Sequence, residues 1–230
     1  MRPFDPASAL GPRLREVREE RGLAVRELAR RIGCSASLIS QVERGISSPS
    51  AGMLYALATE LQASLDYLFD AMPAKGPGDE PPRVAAQLPP PGRDGGPGGQ
   101  EPPRPAPQDT LPGGHGIVQR ISGRRAIDLA SGVRWERLTP RTDNRVDFLE
   151  VIYEPDGHST DSRRAVRHDG YEYGVIISGI LQANVGFELY ELGPGDSIAF
   201  DSATPHEYWN RTSERVHAIW VVVHSEPGLP

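Results

Sequence analysis

Cysteine and lysine are nearly absent from this chain of 230 residues, each occurring once, as Cys34 and Lys75. A single cysteine excludes an intrachain disulfide and any all-cysteine zinc site. With one lysine the basic residues are arginines throughout, a bias of the whole chain that marks no site. Long apolar runs are missing as well. The longest, Ala218–Val223, has six residues, against the ~18 or more of a membrane-spanning helix. The opening MRPFDPASAL lacks the apolar stretch of a secretory signal. A soluble, cytoplasmic protein with no membrane partner is expected.

Proline and glycine, by contrast, are plentiful and concentrated. Residues 71–116 hold 13 Pro and 10 Gly in 46 positions. Such a segment has too little apolar surface to offset the entropy of ordering itself. It is expected as a disordered linker that can set its flanks in many relative positions. The flanks, residues 1–70 and 117–230, are each long enough for a core of their own. Charge divides along the same lines. Residues 1–70 carry 9 basic and 9 acidic side chains, 71–116 carry 4 and 5, and 117–230 carry 12 and 17. The net charge of −6 argues against nucleic-acid binding over the whole surface, but residues 13–31 carry seven arginines against four glutamates. A local basic patch survives.

The first block reads as five short helices. Leu10, Leu14 and Val17 form one apolar stripe, Val25, Leu28, Ala29 and Ile32 a second. Gly33 ends the second helix and Ser35 is placed to cap the third. In that third helix Leu38, Ile39 and Val42 point one way, and Ala36, Ser37, Ser40, Gln41 and Arg44 the other. Two helices joined by a three-residue turn around a glycine make a helix-turn-helix, which presents one helix to the major groove of DNA. Short polar side chains on its exposed face can approach base edges, and a glutamine can pair bidentately with adenine. Arg13, Arg15 and Arg21 read as a solvated face, and Cys34 as a small turn residue.

The run LREVREERGLAVRELARRIGCSASLISQVERGISSPS resembles the phage-repressor (Xre) class of helix-turn-helix domains over about residues 10–70. That resemblance implies base-reading positions at Ala36, Ser37, Ser40 and Gln41, and phosphate contacts at Arg26, Arg44 and Ser47. It also implies an internal ion pair between Arg18 and Glu43. One such reader covers a half-site, so a homodimer on a double-stranded operator is expected.

From Ile117 the pattern changes. VDFLEVIY, YEYGVIIS, ILQANV, FELYEL, SIAF, HEYW and VHAIWVVV read as seven short strands separated by turns, the pattern of an antiparallel barrel or jelly roll. His168 and Glu172, four apart on one expected strand, share a face, and His206 starts another strand. Two imidazoles and a carboxylate converging in a barrel match the facial triad that holds Fe(II) with open positions. The alternatives are a metal-free pocket in which these groups bind a ligand directly, and a Glu172 paired by Arg164 or Arg167. His217 is expected to be a core or surface histidine.

RHDGYEYGVIISG and GDSIAFDSATPHEYWN resemble the two signature motifs of the cupin superfamily. Val166 stands where a cupin has its first histidine, which leaves at most three ligands: His168, Glu172 and His206. The expected fold is thus multidomain: an all-α five-helix helix-turn-helix bundle, a disordered linker and an all-β cupin barrel. This order of modules resembles bacterial transcriptional regulators that couple a small-molecule effector to DNA binding, with one divalent transition metal (Fe, Mn, Ni or Zn) as a candidate cofactor. The same order also resembles the phosphonate epoxidases, mononuclear non-heme iron enzymes with the His-x3-Glu and distant His spacing. No catalytic residue beyond those ligands can be named, and a regulator rather than an enzyme is the expectation.

Overall fold

A computed structural model describes residues 7–70, 117–160 and 165–224. The expected linker, 71–116, lies outside the described residues. Five helices form first: α1 Ala7–Glu20, α2 Val25–Ile32, α3 Ala36–Glu43, α4 Ala51–Leu61 and α5 Leu65–Phe69. Serine starts the last three. The hydroxyls of Ser35, Ser50 and Ser64 accept from the amides of Leu38, Met53 and Tyr67 at 3.1, 3.3 and 3.2 Å, each satisfying an amide the helix cannot. Gly33, at φ 73°, turns the chain between α2 and α3 in the left-handed region that costs other residues energy. The stripes meet in a core that includes Leu14, Leu28, Ile39, Leu54, Leu61 and Phe69. Arg18 and Glu43, both buried, pair through 2.5 and 3.0 Å bonds that tie α1 to α3.

Nine strands follow, β1 Ala126–Leu129, β2 Val133–Arg137, β3 Val146–Tyr153, β4 Tyr171–Ser178, β5 Leu181–Val185, β6 Glu188–Leu192, β7 Ser197–Asp201, β8 His206–Trp209 and β9 Val216–Val223. They form two antiparallel sheets, β1-β2-β3-β9-β4-β7 and β6-β5-β8, packed as a jelly roll around a shared core. The expectation of seven strands is therefore corrected to nine. β1 and β2 are short, four and five residues, and their apolar positions, Ile127, Leu129, Val133 and Trp135, alternate with the charged Asp128, Arg134 and Glu136. Arg124 and Arg134 pair with Glu136, and Arg134 with Asp128. Paired charges of this kind can sit on a sheet face where isolated ones cannot.

The two domains pack against each other. The amide of Gly52 donates to Ser159 O, and that of Ala130 to Pro49 O, both at 2.9 Å. Buried Asp66 of α5 accepts from the Asp143 amide at 2.5 Å and lies 3.4 Å from buried Arg137. Arg137 also reaches Asp70 at 3.0 Å, and Arg125 donates to the Asp70 carbonyl at 2.6 Å. Burial pushes the Asp66 carboxyl above its usual range, although the Asp143 amide and Arg137 draw it back. In this structure Asp66 and Arg137 lie buried at the junction and supply each other's polar partner.

Candidate functional site

Each member of the histidine–glutamate cluster is set by a different local feature. His168 lies ahead of β4, its amide donating to Ser202 O at 3.1 Å. It was expected on the strand, but the turn at Gly170 starts β4 only at Tyr171. Glu172 is the second residue of β4 and points inward with Gly174 and Ile176, while Tyr171 and Tyr173 point out. His206 opens β8 and is 2 % exposed. The three side chains still converge. Glu172 Oε1 lies 2.9 Å from His168 Nε2 and 3.1 Å from His206 Nε2.

The surrounding bonds fix what these atoms can do. His206 Nδ1 is 2.8 Å from Thr204 O and His168 Nδ1 is 3.2 Å from Asp169 O. A carbonyl only accepts, so each Nδ1 carries a proton and each Nε2 is turned to the centre. Glu172 Oε2 accepts from Trp220 Nε1 at 2.7 Å and from the Tyr208 hydroxyl at 3.0 Å. Oε1 is left for the centre. It and His168 Nε2 are buried, and despite their short separation neither has a hydrogen-bond partner. With both Nε2 atoms unprotonated, three lone pairs would face one point and repel one another without a cation between them. A divalent ion fits this donor set, and the backbone carbonyls behind the imidazoles are the support that metal-ligating histidines use. Burial pushes the Glu172 carboxyl up, but His168 and His206 pull it down further, so it is held well below the usual carboxylate range. Burial, and then Glu172, push the Tyr208 hydroxyl far up, which keeps it a donor.

Nearby residues resolve the other expectations. Arg167 is exposed and has no ion pair with Glu172 among the described residues, whereas Arg164 lies outside them. His217 sits 3.2 Å from Glu150, on the face of β9 opposite Trp220. Trp220 fits because β4 has Gly174 opposite it; a Cβ there would lie 2.4 Å from the indole. Sequence reasoning missed Tyr55 of α4. Its ring stacks on His168, with centroids 4.4 Å apart and planes 6° apart. Both residues line a cleft of about 590 Å³ between the domains, with Glu20, Gln62, Asn144 and Asp169 among its walls.

The second candidate site is α3. Ser37 and Arg44 are exposed, and Ala36, Ser40, Gln41 and Ser47 are half-buried at its edge. Arg44 Nε donates to Ser40 O at 2.9 Å. Arg30 and Arg31 are engaged by Glu27 and Glu60. Arg26, exposed on α2, has no ion pair among the described residues. Ile46, just beyond α3, is 65 % exposed, an apolar tip that no periodicity announced. Among the described residues, contacts to the barrel include those of Pro49, Gly52, Tyr55, Asp66 and Asp70, on the loop before α4 and on α4 and α5 rather than on α3. Burial pushes the Cys34 thiol up, which suits a turn residue and not a reactive thiolate.

Comparison with known proteins agrees with this division. Residues 14–68 match the helix-turn-helix family and residues 149–222 the cupin domain family. The chain joins a helix-turn-helix domain to a cupin domain. It is 26 % identical over 210 residues to the HTH-type transcriptional regulator PuuR of Escherichia coli, covering 91 % of each chain. An HTH_3 family transcriptional regulator from Vibrio cholerae shares the fold, with a TM-score of 0.59 at 20 % identity over 96 % of this chain and 98 % of that one. Hydroxypropylphosphonic acid epoxidase from S. wedmorenis aligns over 94 % of this chain and 98 % of its own at a TM-score of only 0.39 and 17 % identity, too low to argue for shared chemistry. The architecture is that of helix-turn-helix transcriptional regulators, and among the described residues no helix is long and apolar enough to cross a membrane.

Proposed function

We propose that the protein is a cytoplasmic, dimeric regulator that reads an operator with α3 and adjusts its affinity through the cupin site. The observation that carries this reading is the placement of the domains. The barrel packs on α4 and α5 and leaves the polar face of α3 to solvent, so DNA and a cupin ligand can be held at once. Ala36, Ser37, Ser40 and Gln41 are the base readers, and Arg26, Arg44 and Ser47 the phosphate contacts. His168, Glu172 and His206 hold one divalent transition metal, which when bound supplies a Lewis-acid anchor with open positions for a small effector. Tyr208 and Trp220 orient Glu172 toward that ion. An effector that favours one arrangement of the domains shifts operator affinity, ordinarily by about 5–150-fold. The named relatives are regulators, and the chain is read as one rather than as an enzyme.

A second copy fits the outer face of the large sheet. Phe148, Val221 and Tyr173 form one cross-strand row over β3, β9 and β4, and Val146, Val223 and Tyr171 the next. Phe148, Tyr171, Tyr173 and Val223 are 37–49 % exposed. An apolar face of this kind marks an interaction surface, and a reader of half-sites needs a twofold partner.

The test is selection of bound sequences from a random DNA pool, followed by titration of the selected site at increasing salt. Arg26→Ala weakens binding to all sequences and lowers the salt slope by about 1, whereas Gln41→Ala relaxes preference at one base pair at a cost of about 1–3 kcal/mol. Binding that ignores both substitutions excludes α3 as the reader.

A further inference from the structure

We infer that α4 of the DNA-binding domain reads the occupancy of the cupin site directly, through the Tyr55 ring stacked on His168. This rests on the proposed metal site and adds to it the route by which that site reaches the helix-turn-helix.

Three observations place α4 at the site. Tyr55 lies flat on His168 and edge-on to Trp135 of β2, at 5.1 Å and 62°, so the barrel holds its ring on two sides. One turn earlier, Gly52 lies against the barrel so closely that a Cβ there would be 2.3 Å from Val166 Cγ1. Val166, which the motif resemblance puts where a cupin has its first histidine, turns an apolar side chain to Gly52 and forms a seat for α4. Two backbone bonds also join the domains at the N-terminal end of α4, Gly52 to Ser159 and Ala130 to Pro49.

The physical link is the imidazole. Its Nδ1 faces Asp169 O and its Nε2 faces the centre. A cation on Nε2 fixes the ring plane at both ends and draws electron density out of it. A phenol face is electron-rich, so the stack tightens when the imidazole becomes electron-poor. Occupancy thereby holds α4, and with it the bundle carrying α3, against the barrel. Tyr55 acts as a positioning residue; it ligates nothing.

The experiment uses the full chain and cobalt(II) chloride alone. Cobalt binding is followed by its visible absorption, and hydrogen exchange is measured on peptides spanning residues 49–58 and 128–132. In the native protein cobalt slows exchange of these peptides about 5-fold or more, the lower end of ordinary coupling between sites. Tyr55→Phe, which keeps the ring, retains the slowing. Tyr55→Leu binds cobalt with an unchanged spectrum and loses it. Cobalt bound to the native protein without any slowing overturns the inference and leaves the metal site standing. Equal slowing in Tyr55→Leu overturns it as well. Absence of cobalt binding to the native protein removes the metal site, and this inference with it. Should Tyr55→Leu fail to fold, the native protein and Tyr55→Phe still decide, since slowing in the first and not in the second contradicts a role for the ring.

Discussion

At the scale of single residues, the cupin site is decided by which atoms lack a donor. Glu172 Oε2 has two, and Oε1 faces two imidazole nitrogens instead. Removing one of the supporting donors loosens the carboxylate without touching a ligand. Tyr208→Phe should therefore lower cobalt affinity by about 10–100-fold, as other outer-shell losses do, with the far-ultraviolet dichroism unchanged; isothermal titration checks it. His224 gives a separate test. Its Nε2 lies 2.8 Å from Asp147 Oδ2, and that bond raises its pKa above the ordinary 6.5 against the opposing effect of burial. A raised folded-state pKa means that the contribution is full below the unfolded value and is lost as pH rises through the folded one. Thermal midpoints should fall as pH rises from neutrality, and His224→Gln should flatten that slope.

At the scale of elements, caps and turns carry much of the specification. Gly33 has open space around the position of a Cβ, so Gly33→Ala meets no clash and costs only the left-handed backbone, about 1–2 kcal/mol. Chemical denaturation measures it, and Gly33→Asn should cost less. The turn between α2 and α3 followed from such signals, because Gly33 and Ser35 act on neighbours in sequence, whereas the caps at Ser50 and Ser64 and the left-handed Gln62 that ends α4 were not anticipated. The seven strands from Val146 onward were legible for the same reason, each an apolar run closed by glycine, proline or asparagine. β1 and β2 were not. Their charges are tolerated only by partners such as Arg124 and Glu136, twelve positions apart and meeting across a sheet.

At the scale of the whole molecule, the two domains meet in a polar junction. Asp66, Asp70, Arg125 and Arg137 join α5 to the barrel, and α4 closes on the ligand rim. The apolar rows on β3, β9 and β4 lie on the outer face of the large sheet, the surface proposed to pair with a second copy. A charge in the middle of that face should prevent pairing. Tyr173→Lys is expected to shift sedimentation from dimer toward monomer and to weaken operator binding, while leaving cobalt binding intact.

Local chemistry determined most of this protein in advance: helix ends, strand runs, the polar face of α3 and the spacing of His168, Glu172 and His206 all depend on residues near in sequence or on motifs. Tertiary structure alone decided what those pieces meet. Tyr55 carries no periodic or motif signal, and Val166 reads only as a missing ligand. They acquire a role because α4 lies across the barrel, and contacts between distant segments are set by the packing of the complete surface rather than by any stretch of chain.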